Sequence, residues 1–145
     1  MMRSALCLGL MLAAAPALAE DWPPRIGAEL AERRAHCRES GGEARIAGPF
    51  LRRIDLDGDG RDDFVMDDAG FRCSKGAPLH CGSGGCQVQV FLGGGTDARP
   101  VFAELAQKAV LKGRVLELSQ RRGMPAIVVR FERGCAIRSD GERTC

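Results

Sequence analysis

Between Asp55 and Asp63 the chain sets carboxylates at Asp55, Asp57, Asp59 and Asp63, with Gly58 and Gly60 between them. Any fold of this chain has to accommodate that charge. Gathered around one small cavity, each close pair of carboxylates costs about 1 kcal/mol in water and several times more near a protein surface. Two arrangements relieve the repulsion. The acids can stay solvated on an Asp/Gly turn, since Asp-Gly is a strong hairpin signal. Alternatively, a hard divalent cation can convert the repulsion into binding energy. A plain turn explains the glycines but not the alternation of the acids. That alternation is the one used by a calcium loop of the EF-hand kind. Positions one, three, five and nine are acidic, Gly60 takes the sharp turn at six, and Arg61 at seven offers a backbone carbonyl. The second half of an EF-hand is missing. Position twelve is Met66 where a bidentate glutamate belongs, and Phe64-Val65-Met66 reads as a strand. The expectation is therefore Ca2+ held in a hairpin loop, without a calcium-sensor EF-hand.

The run from Asp55 to Met66, D-x-D-G-D-G-x-x-D followed by apolar residues, resembles the calcium loop of FG-GAP and VCBS-type repeats. Beyond it, the chain resembles a group of small, cysteine-containing secreted bacterial proteins that carry one such loop. In these a Cys-Gly-Ser-Gly-Gly-Cys segment follows the loop, as Cys81 to Cys86 does here. The resemblance implies side-chain ligands at Asp55, Asp57, Asp59 and Asp63, and a carbonyl ligand at Arg61. It covers about a dozen residues well and the middle third loosely. FG-GAP proteins stack several repeats into a propeller, whereas this chain has a single loop of the kind. The propeller and its adhesive functions are therefore not implied.

At the other end, Met1-Met2-Arg3, an apolar run from Ala5 to Ala15, and Ala17-Leu18-Ala19 have the layout of a secretory signal peptide. The run is short for a membrane span, and Pro16 interrupts it. Residues 1–19 are read as the leader and residues 20–145 as one domain with a single core, periplasmic or secreted. Losing Arg3 brings the 21 basic side chains to 20, against 19 acidic ones. That balance excludes an electrostatic nucleic-acid binder, because Arg33-Arg34, Arg52-Arg53 and Arg121-Arg122 are isolated pairs.

Cys7 leaves with the leader. Cys37, Cys73, Cys81, Cys86, Cys135 and Cys145 remain, and an even number in an exported chain reads as three disulfides. The sequence leaves connectivity open. Proximity favours Cys81–Cys86 and Cys135–Cys145, with Cys37–Cys73 as the long link. Zinc on His36, Cys37, Cys73, His80, Cys81 and Cys86 is the competing reading, although no zinc-ligand spacing is present.

Pro23-Pro24 starts a helix over Arg25 to Arg38, with Ile26, Leu30 and Cys37 on one face and Glu29, Glu32, Arg33 and Arg34 elsewhere. Ser40-Gly41-Gly42 ends it. Residues 49–56 and 63–67 form a hairpin around the acidic loop, with Asp67 and Asp68 solvent-exposed or replacing the twelfth ligand. Residues 70–85 read as loop, and residues 100–110 as either strand or helix. Gln87 to Phe91, Val115 to Ser119 and Ala126 to Phe131 read as strands. The fold class is α+β, mainly antiparallel β: a small disulfide-braced domain with one N-terminal helix and a calcium-loop hairpin.

Three functional classes follow. The first is a calcium-binding structural or binding module of the cell envelope, with an envelope or extracellular protein as partner. The second is a secreted enzyme inhibitor presenting the Cys81 to Cys86 loop. The third is a calcium-assisted hydrolase drawing on His36, His80 and Ser83, for which neither G-x-S-x-G nor H-E-x-x-H is present.

Overall fold

Helix α1 (Pro24–Glu39) begins with proline, whose fixed φ suits the first helical position. Pro23 before it offers no side-chain cap. The carboxylate of Asp97, remote in sequence, accepts the Arg25 N–H at 2.8 Å instead. At the other end Gly41 adopts φ 70°. Its N–H donates to the Arg38 carbonyl and that of Gly42 to the Cys37 carbonyl, the paired bonds of a Schellman stop. The computed structural model describes residues 21–48 and 50–145, so the leader expected over residues 1–19 lies outside the described residues.

Among the described residues twelve strands follow: β1 (Ala44–Ile46), β2 (Leu51–Ile54), β3 (Asp63–Asp67), β4 (Phe71–Cys73), β5 (Cys81–Gly82), β6 (Gly85–Gly94), β7 (Asp97–Ala106), β8 (Lys108–Lys112), β9 (Val115–Ser119), β10 (Ile127–Glu132), β11 (Cys135–Arg138) and β12 (Arg143–Thr144). All pairings are antiparallel. The central sheet runs β2-β3-β6-β7, and β5 adds a short rung to β6. A second sheet runs β12-β11-β10-β9-β8, and β1 pairs with β4 as a separate ribbon. The fold is α+β and mainly antiparallel, as expected. Residues 100–110 are strand on either side of a break at Gln107, divided between β7 and β8, and the segment expected to be loop contributes β4 and β5.

Burial sorts these elements into three layers. Along β3 all five residues are buried, so the strand is covered on both faces. Phe64 and Met66 join Ile26, Leu30, Phe50, Phe71 and Phe91 beneath α1. Val65 turns the other way, with Val88, Val90 and Leu92, to meet Leu116, Leu118, Val129 and Phe131 of the second sheet. The period-two alternation of β3 and β6 thus serves helix on one side and sheet on the other.

Two charged residues of α1 depart from the sequence expectation. Glu29 and Arg33 are buried on the inner face with Ile26 and Leu30. Asp68, in the 3-10 turn Asp68–Gly70, meets Arg33 there in a bidentate pair. Arg33 also donates to the Glu29 carboxylate and carbonyl, each at 2.9 Å, and to the Gln89 side-chain oxygen at 2.7 Å. Burial alone would loosen the guanidinium proton, but Asp68 and Glu29 outweigh it and hold the proton more firmly than usual. Asp67 and Asp68 are therefore neither exposed nor substitutes for a twelfth ligand. Asp68 neutralises Arg33, and Asp67 caps the 3-10 turn through the Ala69 N–H at 3.0 Å.

Three disulfides close the fold: Cys37–Cys73, Cys81–Cys86 and Cys135–Cys145. They engage every thiol of the zinc alternative, which is thereby overturned, because a disulfide sulfur is no thiolate ligand. Cys37–Cys73 ties α1 to β4, and Cys135–Cys145 fastens the C-terminus to β11. Three disulfides fit a protein matured in an oxidising compartment. Among the described residues no helix is long and apolar enough to cross a membrane.

Candidate metal centre

The β2–β3 hairpin carries the acidic loop at its tip, with Ile54 opposite Asp63 at the last rung. Leu56 is 1 % exposed and sinks into the core between the two sheets, so the loop is anchored by an apolar side chain as well as by its strands. Gly58 and Gly60 take φ 81° and 83°, left-handed values that a side chain at either position would oppose.

Asp63 lies fully buried beneath the loop. One of its oxygens accepts the Leu56 N–H at 2.7 Å and the Asp57 N–H at 3.4 Å, and the other accepts the Gly93 N–H at 2.8 Å. One carboxylate thus fixes the loop to its own hairpin and to β6. Glycine is required at position 93, because a Cβ there would stand 2.2 Å from the Asp62 carbonyl oxygen. Burial pushes the Asp63 carboxyl above its ordinary range; the Gly93 and Leu56 N–H groups oppose that shift, and the Asp57 charge adds to it.

Asp55, Asp57 and Asp63 each bring an oxygen to a common point, all three lying within 4.8 Å of one another. Calcium binds oxygen at about 2.3–2.6 Å, so two ligands of one ion stand at most about 5 Å apart, and this separation fits. The donors are carboxylate oxygens only, the chemistry of a hard cation rather than of zinc or copper.

Asp59 behaves differently. Its carboxylate pairs with the Arg61 guanidinium at 2.7 Å and accepts the Arg61 backbone N–H at 2.8 Å. These contacts hold the Asp59 carboxyl below its ordinary range. Arg61, expected to contribute a carbonyl, brings its side chain and backbone N–H to Asp59. Three of the four expected carboxylates converge, and the fourth is occupied by its neighbour.

The second sheet reaches the same loop, and nothing in the sequence pattern signals this. The Gly134 N–H, in the β10–β11 turn, donates to Asp57 at 3.1 Å. The Arg114 guanidinium, in the β8–β9 turn, stands 3.4 Å from Asp55. Lys112-Gly113-Arg114 reads as a turn in the sequence, but nothing there says which loop that turn will touch. The β8–β9 and β10–β11 tips of the second sheet close on the acidic loop of the first.

The remaining candidates are dispersed. His36 lies near the end of α1, where its carbonyl accepts from Ser40. The His80 carbonyl accepts the Gln87 N–H, and the Ser83 carbonyl accepts from the Gln107 side chain. No hydrogen bond joins Ser83 to either histidine among the described residues. Comparison of this chain with family models, with curated proteins and with solved structures finds no match.

Proposed function

We propose that this chain is an exported, disulfide-stabilised module of the periplasm or cell envelope that binds one calcium ion in a single FG-GAP/VCBS-like loop. The observation that carries the reading is the convergence of Asp55, Asp57 and Asp63 oxygens within 4.8 Å, on a loop braced by both sheets. The Arg61 carbonyl completes the oxygen set implied by the spacing, together with Asp59 once its pairing with Arg61 gives way. The ion's role in this reading is to hold the acidic loop against the hairpin tips of the second sheet. A protein partner from the envelope or the extracellular space would dock on the surface so ordered. With a dissociation constant of about 10⁻⁴ to 10⁻³ M, millimolar calcium adds about 0.4–1.4 kcal/mol of stability. That suffices to order a loop and is too little to create the fold.

Calorimetric titration of the oxidised protein with calcium, beside Asp57→Asn, tests the reading. Asparagine keeps an oxygen for the Gly134 N–H and removes the charge. Saturable heat in the parent and none in the variant is the expected outcome. Equal heats would overturn the assignment.

A further inference from the structure

A second feature adjoins the acidic triad. Asp57, Asp59, Arg61, Arg99, Arg133 and Gly134 line an open cavity of about 370 Å³. Of its three guanidinium groups, only that of Arg61 is neutralised, by Asp59. Arg99 donates to the Gly134 carbonyl at 2.7 Å, a neutral acceptor that leaves its charge intact. Arg133 has no ion pair among the described residues.

The backbone beneath Arg133 is unusual in its own right. Arg133 and Gly134 form the two-residue turn between Glu132 and Cys135, with φ 51° and 75°. Arg133 is the one non-glycine residue with positive φ among those described. Such a turn prefers Asn-Gly, and a long side chain in the left-handed region is held there at a conformational cost. The turn's geometry therefore does not account for arginine at this position. The neighbouring Gly134 N–H is bound to Asp57, and Arg133 and Asp57 line the same cavity.

We propose that Arg99 and Arg133 bind an oxyanion, the carboxylate or phosphate group of a ligand, and that it binds cooperatively with the calcium ion at Asp55, Asp57 and Asp63. The planar fork of arginine matches either group. Without the ion, the Asp57 carboxylate in the cavity wall repels an incoming anion; with it, the local charge becomes favourable and each ion strengthens the other. The coupling rests on the calcium reading above, whereas the anion site rests on the two arginines.

The test uses phenyl phosphate and benzoate, the same ring carrying either oxyanion. Each is titrated into the oxidised protein, in excess calcium and in EDTA, while the Nε–H signals of Arg99 and Arg133 are followed by NMR. Saturable shifts at both arginines are expected from at least one probe, about fivefold or more tighter in calcium. Arg99→Gln and Arg133→Asn each weaken binding about tenfold, the scale of one lost charge-assisted contact. Arg133→Asn suits the turn better than the parent residue, so its melting midpoint rises, and a folding defect does not explain lost binding. Response to one probe alone identifies the group. Calcium binding without response to either probe overturns the anion site and spares the cation site. Anion binding that calcium leaves unchanged overturns the coupling, and absence of calcium heat overturns the reading beneath it. Equal affinity in Arg133→Asn overturns the assignment to that residue.

Discussion

Replacing Arg33 with methionine nearly preserves side-chain length and removes the buried cation that neutralises Asp68, while Glu29 keeps its pair with Arg25. In the parent, every guanidinium N–H of Arg33 has an acceptor: two on Asp68, two on Glu29 and one on Gln89. Arg33 is 1 % exposed, Asp68 2 % and Glu29 9 %, so water cannot substitute for the lost donors without opening the layer beneath α1. Hydrogen bonds to charged groups contribute about 1.5–3 kcal/mol each, and removing one partner of a buried ion pair costs about 3–5 kcal/mol. For a domain of this size that is a large share of a total of about 5–15 kcal/mol. Urea unfolding with the disulfides intact measures it. At a slope of about 2 kcal/mol/M, Arg33→Met should lower the midpoint by roughly 2 M. Adding Asp68→Asn should recover much of the loss, because the stranded charge is then gone. A cost below about 1 kcal/mol, or no recovery in the double variant, would refute the view that this network is a coupled buried unit.

The three disulfides should differ in worth. On the chain-entropy relation, removing Cys37–Cys73 costs about 4 kcal/mol and removing Cys81–Cys86 about 2 kcal/mol, because the first closes 36 residues and the second five. Paired serine variants compared by thermal denaturation check the order, and a reversal would count against the entropic account. Asp67 supplies a pH test. Burial raises its carboxyl above the ordinary range, against the Ala69 N–H and the Arg52 charge, so the folded state binds its proton more tightly than the unfolded chain. Its ionisation therefore costs stability, a cost absent below the unfolded carboxylate range and complete above the raised folded value. Asp67→Asn keeps an acceptor for Ala69 and should melt higher at neutral pH, with the advantage vanishing in acid. An advantage equal at both pH values would show that the charge is not its cause. Asp97→Ala should cost about 1 kcal/mol by leaving the Arg25 N–H uncapped, read by urea unfolding.

Local pattern determined much of this protein. The spacing of Asp55, Asp57 and Asp63 marked a loop that the structure folds into a convergent set, and the apolar run after it marked β3. Pro24 and Gly41-Gly42 set the ends of α1, and proximity favoured the disulfide pairing the structure contains. These features depend on residues near one another in the chain, where steric preference and short loop closure dominate. Contacts between distant segments were decided only by tertiary structure. Arg33 lies on the same helical stripe as Ile26 and Leu30, yet its burial depends on Asp68 arriving from the turn after β3. Asp59 has the right spacing to be a ligand, but the nearer Arg61 neutralises it. The second sheet's contribution at Gly134 and Arg114 was not legible at all, because turn residues encode a reversal of the chain and not the surface it lands on. Packing of the two sheets through Val65, Val90, Leu116 and Val129 sets that landing, and with it the cationic surroundings of the acidic loop.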